Sequence, residues 1–194
     1  GFRTGPACIP GDYGVTPDLC TLGKAIGAGI PLSVFGGKRE IMSHVAPLGQ
    51  AQHSGTFNGG LIAIMASHAF FDIILEDGYY ERLLGQCERF YAGVNEIMNR
   101  LGFVGRVQGK GARFSFLFGP PAERPAIRNY GDLIDNEWEK LNRFYAACLD
   151  HGVYIHTMLH HGLSSAHTDQ DLDRALEGIE AALRDVMAAG AKVS

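Results

Sequence analysis

The stretch PDLCTLGKAIGAGIP, residues 17–31, sets a single amine, Lys24, between a short apolar run and a turn rich in glycine. A lysine so placed offers three chemistries: a plain surface charge, a phosphate clamp, or an imine-forming nucleophile. A phosphate clamp of the P-loop kind requires GxxxxGK[ST]. Asp18 stands where the first glycine belongs and Ala25 where the hydroxyl belongs, so the motif is broken twice. A dinucleotide fingerprint GxGxxG starting at Gly27 requires glycine at position 32 and meets Leu32. An amine nucleophile needs a partly desolvated site that frees its lone pair. Flanking glycines let a flat cofactor approach the backbone. Surface charge and nucleophile both stay open on the residues alone.

A second candidate is QHSGTFNGG, residues 52–60. Ser54, Gly55, Thr56 and Asn58 stand just before an apolar run that starts at Leu61. Hydroxyls and free N–H groups at a helix N-terminus suit an anion. A capped turn without a ligand is the plainer alternative. Five of the eight histidines lie late in the chain: His151, His156, His160, His161 and His167. His156 and His160 have HxxxH spacing, which pairs them only in a helix. His156 falls at the end of an expected strand and no HExxH is present, so no metal is expected. A histidine lining a substrate cleft is the better use. GRVQGKGARF, residues 105–114, misses P-loop spacing by one residue and reads as a turn into a strand. Arg3 and Arg113 are of the type that grips a carboxylate with two parallel bonds.

The elements that must position these residues follow from periodicity. DLCTL and PLSVFGG read as short buried strands of the kind found in parallel sheets. KREIMSHV allows one or two helical turns. LIAIMASHAFFDIILED is apolar nearly all round, which predicts a buried helix ending at Asp77-Gly78. YYERLLGQCERFYAGVNEIMNRL keeps its apolar residues on one face, from Leu83 to Leu101, and Gly102 closes it. ARFSFLF alternates, placing Phe114, Phe116 and Phe118 on one side of a strand. LIDNEWEKLNRFYAACLDHG predicts a helix, VYIHT a short strand, and Thr168 the N-cap of a last helix with Asp169 and Asp171 in its first turn. The pattern is α/β rather than a bundle.

Composition excludes several classes. A net charge of −4 gives no electrostatic footprint for nucleic acid. No apolar run reaches the roughly 18 residues that would span a membrane, and no secretory leader pattern is visible. The four cysteines form no CxxC pair, and reduced thiols in a cytoplasmic protein are expected.

GFRTG, GVTPDLCTLGKAIGAGIPLSVFGGKREIM, HSGTFNGG and LSSAHTDQDLDRAL occur in one order across the chain. Together they resemble the class III family of pyridoxal-phosphate aminotransferases, nearest in feel to its glutamate-1-semialdehyde aminomutase branch. The resemblance runs from residue 1 to about residue 188. It implies the C-terminal part of a fold-type I large domain over residues 1–101, with a connecting helix, and a small C-terminal α/β domain over 102–194. It implies pyridoxal 5'-phosphate as cofactor and Lys24 as the lysine of the Schiff base and the shuttle of the substrate proton. Thr56 is similar to the threonine that reaches across a homodimer interface to the cofactor phosphate, and Ser54 and Gly55 belong to the same cofactor-binding stretch. The family's acidic partner of the pyridine nitrogen lies just before the GFR stretch, which opens this chain. The chain is therefore expected to be the C-terminal portion of a longer enzyme. The expected reaction is transfer of an amino group between an amino compound and a keto acid or aldehyde. An aminomutase that returns the group to the same skeleton, and an inactive fragment retaining fold and dimer surface, are the alternatives.

Overall fold

The structure is a computed structural model and describes residues 1–190. The chain divides into two compact units, Gly1–Glu81 and Arg82–Ser194. No helix among the described residues is long and apolar enough to cross a membrane.

The first unit opens with a short helix, α1 (Cys8–Asp12), and a ribbon of two strands, β1 (Leu19–Leu22) and β2 (Val34–Gly37). The strands run antiparallel, Leu19 opposite Gly37 and Leu22 opposite Val34. This corrects the expectation of buried strands in a parallel sheet. Parallel pairing requires a crossover of about a dozen or more residues, whereas the connection between these strands folds back on itself through the Lys24 turn. Leu19 and Phe35 accordingly stay exposed. Gly37 is required by crowding, because a side chain there would run into the Asp18 carbonyl oxygen. One helical turn, α2 (Arg39–Met42), follows, and then α3 (Leu61–Ile74).

Helix α3 corrects a second expectation. Its apolar residues surround the helix, yet only Ile74 is buried. Leu61, Ile62 and Met65 are 69%, 73% and 61% exposed. The reason is supply: the unit has one small core, Phe2, Ile26 and Ile74, rimmed by Phe70, Phe71, Leu22 and Val34. Such a cluster covers one face. The Phe2 ring meets Phe70 and Phe71 edge-on at 5.4 and 5.5 Å, and the Tyr80 hydroxyl donates to the Phe2 carbonyl at 3.1 Å.

The second unit takes in most of α4 (Tyr79–Leu101), then β3 (Gly105–Lys110), β4 (Arg113–Phe118), α5 (Pro120–Glu123), α6 (Trp138–Asp150), β5 (His161–Gly162) and α7 (Asp169–Gly190). Its sheet has the order β3-β4-β5, antiparallel throughout. Helix α4 buries Leu83, Cys87, Phe90, Val94, Ile97 and Met98, the spacing of three and four read from the sequence. Gly102 ends it with φ +65°, the left-handed stop that glycine makes without strain. The alternation in β4 puts Phe114, Phe116 and Phe118 into the core, the last two with no exposure. Strand β3 was not foreseen as a strand. It pairs with β4 through a turn whose Gly111 takes φ +57°, the sign that two-residue hairpin turns favour.

VYIHT is not a strand, a third correction. The Val153 N–H bonds the Cys148 carbonyl at 2.8 Å, and the Val153 side chain lies so close over Gly178 of α7 that a Cβ there would collide. The segment is thus drawn onto a helix rather than into the sheet. The third strand forms a few residues later, where His161 pairs with Phe114.

Polar groups pin the ends of these elements. Buried Asn136 accepts the Phe118 N–H at 2.9 Å. Thr168 Oγ1 accepts the Asp171 N–H at 3.2 Å while the Asp171 carboxylate accepts the Thr168 N–H at 2.8 Å. This is a capping box with aspartate in the place of glutamate. Between α4 and α7, the Glu180 carboxylate accepts Arg100 at 2.6 Å and Arg184 at 2.6 Å, which together hold its pKa down at about 2.

Two predictions follow from this packing. Phe116→Ala should lose about 3–5 kcal/mol of stability through the cavity it leaves, while Phe57→Ala, at a site 92% exposed, should change it by no more than about 0.5 kcal/mol. Urea unfolding of the two variants checks the contrast. Glu180 is depressed in the folded state, from an ordinary 4.5 to about 2. Its contribution is therefore complete above the ordinary value and is lost as pH falls through the folded one. Glu180→Gln should flatten the stability profile across that acid window, and an unchanged slope there would sink the assignment.

Candidate active site

Lys24 begins a single 3-10 turn, Lys24–Gly27. Gly23 enters it fully extended, and Ala28 closes it in the left-handed region with its N–H on the Ala25 carbonyl at 2.9 Å. Lys24 itself has φ +58°, a conformation that costs a side-chain-bearing residue roughly 1–2 kcal/mol. The turn is anchored from within. Ile26 is 5% exposed in the small core with Phe2 and Ile74. Gly27 is buried with Leu32 so close that an added Cβ would lie 3.1 Å from the Leu32 Cβ. Lys24 stands outside that anchor, exposed. Its amine makes no ion pair among the described residues, and the carboxylate of its motif, Asp18, is bound instead by Lys38.

Ser54, Gly55 and Thr56 are exposed in a pair of tight turns. The Asn58 N–H bonds the Gly55 carbonyl at 3.0 Å and the Gly60 N–H bonds the Phe57 carbonyl at 3.1 Å. His53 lies 3.2 Å from the Asn58 amide and edge-on to Phe35 at 4.8 Å, which ties the stretch to β2. Gly60 is the N-cap of α3 and no side chain caps it. The N–H groups of the first turn are thus left for a ligand or water. Hydroxyls and helix N–H groups in this arrangement are a donor set for an anion.

The two candidate clusters are held by different contacts. The core that anchors the Lys24 turn is built on Phe70, Phe71 and Ile74. At 1.5 Å of rise per residue, Phe70 lies roughly 14 Å along α3 from Leu61, and Thr56 precedes Leu61. No hydrogen bond joins Lys24 to Ser54, Gly55 or Thr56.

Of the other sequence candidates, Arg3 is exposed without an ion pair among the described residues. Arg113 is half-buried at the start of β4, opposite Gly162. The rings of His156 and His160 do meet, at 5.9 Å, although the segment is not helical. Among the described residues no three histidine, cysteine or acidic side chains gather as a metal would require. One polar pair was missed in the sequence. His161 is buried, and its Nε2 lies 2.9 Å from the Tyr145 hydroxyl. Burial, reinforced by His160, His156 and Arg113 nearby, pushes its pKa down to about 4. Residues sixteen apart on different elements carry no periodic signal.

Comparison with known proteins gives the family. The family described as aminotransferase class-III matches residues 2–183. An omega-transaminase from Sphaerobacter thermophilus is 27% identical with a TM-score of 0.81, covering 96% of this chain and 42% of its own. A beta-phenylalanine aminotransferase from Variovorax paradoxus is 26% identical with a TM-score of 0.82, covering 96% and 43%. A variant glutamate-1-semialdehyde-aminomutase from Pseudomonas aeruginosa PAO1, in complex with PMP, is 25% identical with a TM-score of 0.78, covering 95% and 42%. The chain thus spans less than half the length of each of these structures. The α/β architecture is part of the fold-type I architecture of such enzymes, and the chain belongs to the class III aminotransferases, a family of pyridoxal-phosphate enzymes.

Proposed function

We propose that the protein takes part in pyridoxal-phosphate-dependent transfer of an amino group between an amino compound and a keto acid or aldehyde, with Lys24 at the centre of the chemistry. The observation that carries the reading is the Lys24 turn: an uncommitted amine, held in strained left-handed backbone over a buried anchor.

The residues present fit two ends of the cofactor. Lys24 Nζ suits its aldehyde, since no carboxylate among the described residues pairs with the amine. Ser54, Thr56 and the uncapped N-terminus of α3 suit its phosphate. Bound pyridoxal phosphate supplies an electron sink for charge that develops on the substrate carbon. The chain's own residues do the rest. Lys24 Nζ holds the cofactor and, once released, takes the proton from the substrate carbon and returns it, as a general base and acid. The extended Gly23 carries no side chain and leaves the backbone open to a flat ring. Residues 1–101 serve the cofactor in this reading and 102–194 form the small domain.

The reading has a second part: two copies of the chain share the site, with Thr56 of one protomer completing the site of Lys24 in the other, as the threonine that its stretch resembles does.

Borohydride reduction of the protein with pyridoxal phosphate should fix the cofactor on the peptide that contains Lys24. Lys24→Arg should lower amino transfer by roughly 10²–10⁴-fold; label elsewhere, or undiminished transfer by the variant, overturns the assignment. Assays with separate amino and keto compounds distinguish transfer from return to the same skeleton. The shared site has its own check. Lys24→Ala and Thr56→Ala, each weak alone, should regain activity when dissociated and reassociated together. Failure of the mixture to exceed its components would place Lys24 and Thr56 in the same protomer's site.

A further inference from the structure

The short turn Lys24–Gly27 sends its side chains in different directions. A 3-10 helix has three residues per turn, so neighbouring side chains stand about 120° apart around its axis. The turn divides accordingly. Lys24 is exposed, Ala25 packs half-buried against the small core, and Ile26 lies inside that core at 5% exposure. Inside, Ile26 joins Phe2 and Ile74, with Phe70 and Phe71 of α3 at the rim.

This burial bears on the lysine through the backbone. Lys24 has φ +58°, the left-handed region that costs a side-chain-bearing residue energy. Its own side chain reaches solvent and makes no ion pair among the described residues, so nothing at its far end fixes it. Relaxation of φ to the roughly −60° of an ordinary helical residue would swing all that follows. Ile26, two residues on, would leave the core. Burial of Ile26 and relaxed backbone at Lys24 therefore exclude each other. Gly23 and Gly27 permit the shape of the turn, the first by its extended entry and the second by its close approach to Leu32. Neither has a side chain to hold it.

We propose that Ile26 is a positioning residue for Lys24: its burial fixes the left-handed backbone at the lysine and so the direction in which the amine meets the cofactor. The inference rests on the role proposed for Lys24. Ile74 offers a matched control. It is the same residue type in the same core, 3% exposed, but it belongs to α3 and not to the turn. Ile26→Ala and Ile74→Ala remove the same atoms from one core, and only the first releases the lysine.

A limiting amount of pyridoxal phosphate, fixed with borohydride and mapped by peptide, gives the share of label on Lys24 against Lys38, Lys110, Lys140 and Lys192 of the same chain. Carbon-13 shifts of Lys24 without cofactor report whether its backbone is left-handed. In the unaltered protein the label should concentrate on Lys24. Ile26→Ala should cut that share roughly tenfold, the bias of an unrestrained residue against left-handed backbone, and move the Lys24 shifts to ordinary values. Ile74→Ala should preserve both. If the alanine variants lose the fold of the first unit, Ile26→Val and Ile74→Val replace them, and a smaller loss should again be confined to Ile26. Equal loss in the two variants would make Ile26 a stabilising residue only and overturn the proposal. So would a left-handed, fully labelled Lys24 in Ile26→Ala. Unaltered protein without preference for Lys24 overturns the role of the lysine, and this inference with it.

Discussion

The second unit depends on one ring. Phe116, fully buried at the middle of β4, contacts Phe114 at 5.7 Å, Phe144 at 4.9 Å, Tyr145 at 6.2 Å and His161 at 5.5 Å. Those partners belong to the same strand, to α6 and to β5. A single side chain thus fixes the helix to the sheet and holds the short third strand against the second. Edge-to-face geometry gives aromatic contacts a direction that aliphatic burial lacks. The same contacts explain why β5 can be two residues long and still persist. His161 pairs its backbone with Phe114 and its ring with Phe114, Phe116 and Tyr145. The price is a histidine in an apolar core, and the Tyr145 hydroxyl satisfies only one of its two nitrogens.

The first unit is organised by scarcity. Its buried core is three residues, Phe2, Ile26 and Ile74, and each comes from a different segment. Losing any one would free the segment it belongs to. Ile26 is the buried side chain of the Lys24 turn, which it ties to this core beside the buried Gly27. The exposed faces of α3 follow from the same shortage. A helix apolar on every side needs partners on every side, and the small core reaches only the face that carries Phe70, Phe71 and Ile74.

Much of this was legible in the sequence where local rules decide. Helices α4, α6 and α7 follow from apolar spacing, and Gly78, Gly102 and Gly152 all take positive φ where the sequence called for stops. Strand β4 follows from its alternating phenylalanines. What escaped depends on partners. Strand β3 contains Gly105 and Gly109 and has no alternation to read; it is a strand because β4 lies beside it. The segment VYIHT has strand-like residues, but the close approach of Val153 to Gly178 claims it for α7. The apolar run at 61–77 states what α3 would bury, not whether enough core exists to bury it. In the candidate site, failed motifs around Lys24 narrowed its chemistry and the order of four motifs named a family. The Tyr145–His161 pair had no such pattern and emerges only when β5 and α6 are folded together.

Backbone strain gives the strongest link from fold to chemistry. Among the described residues, the non-glycine positions with positive φ are Phe2, Cys8, Lys24 and Ala28. All lie in the first unit, and two bracket the same turn. Glycine would hold any of these without a steric cost, and the surrounding sequence is already rich in it. A strained residue persists only where its environment over-determines it. At Phe2 the ring supplies that through its contacts with Phe70 and Phe71. At Lys24 packing supplies nothing, because the side chain is exposed and the anchor is Ile26, two residues on. Relief of strain would favour glycine at this position, and no contact made by the lysine side chain opposes it. The strain at Lys24 is thus the feature of the fold on which the proposed role of its amine rests.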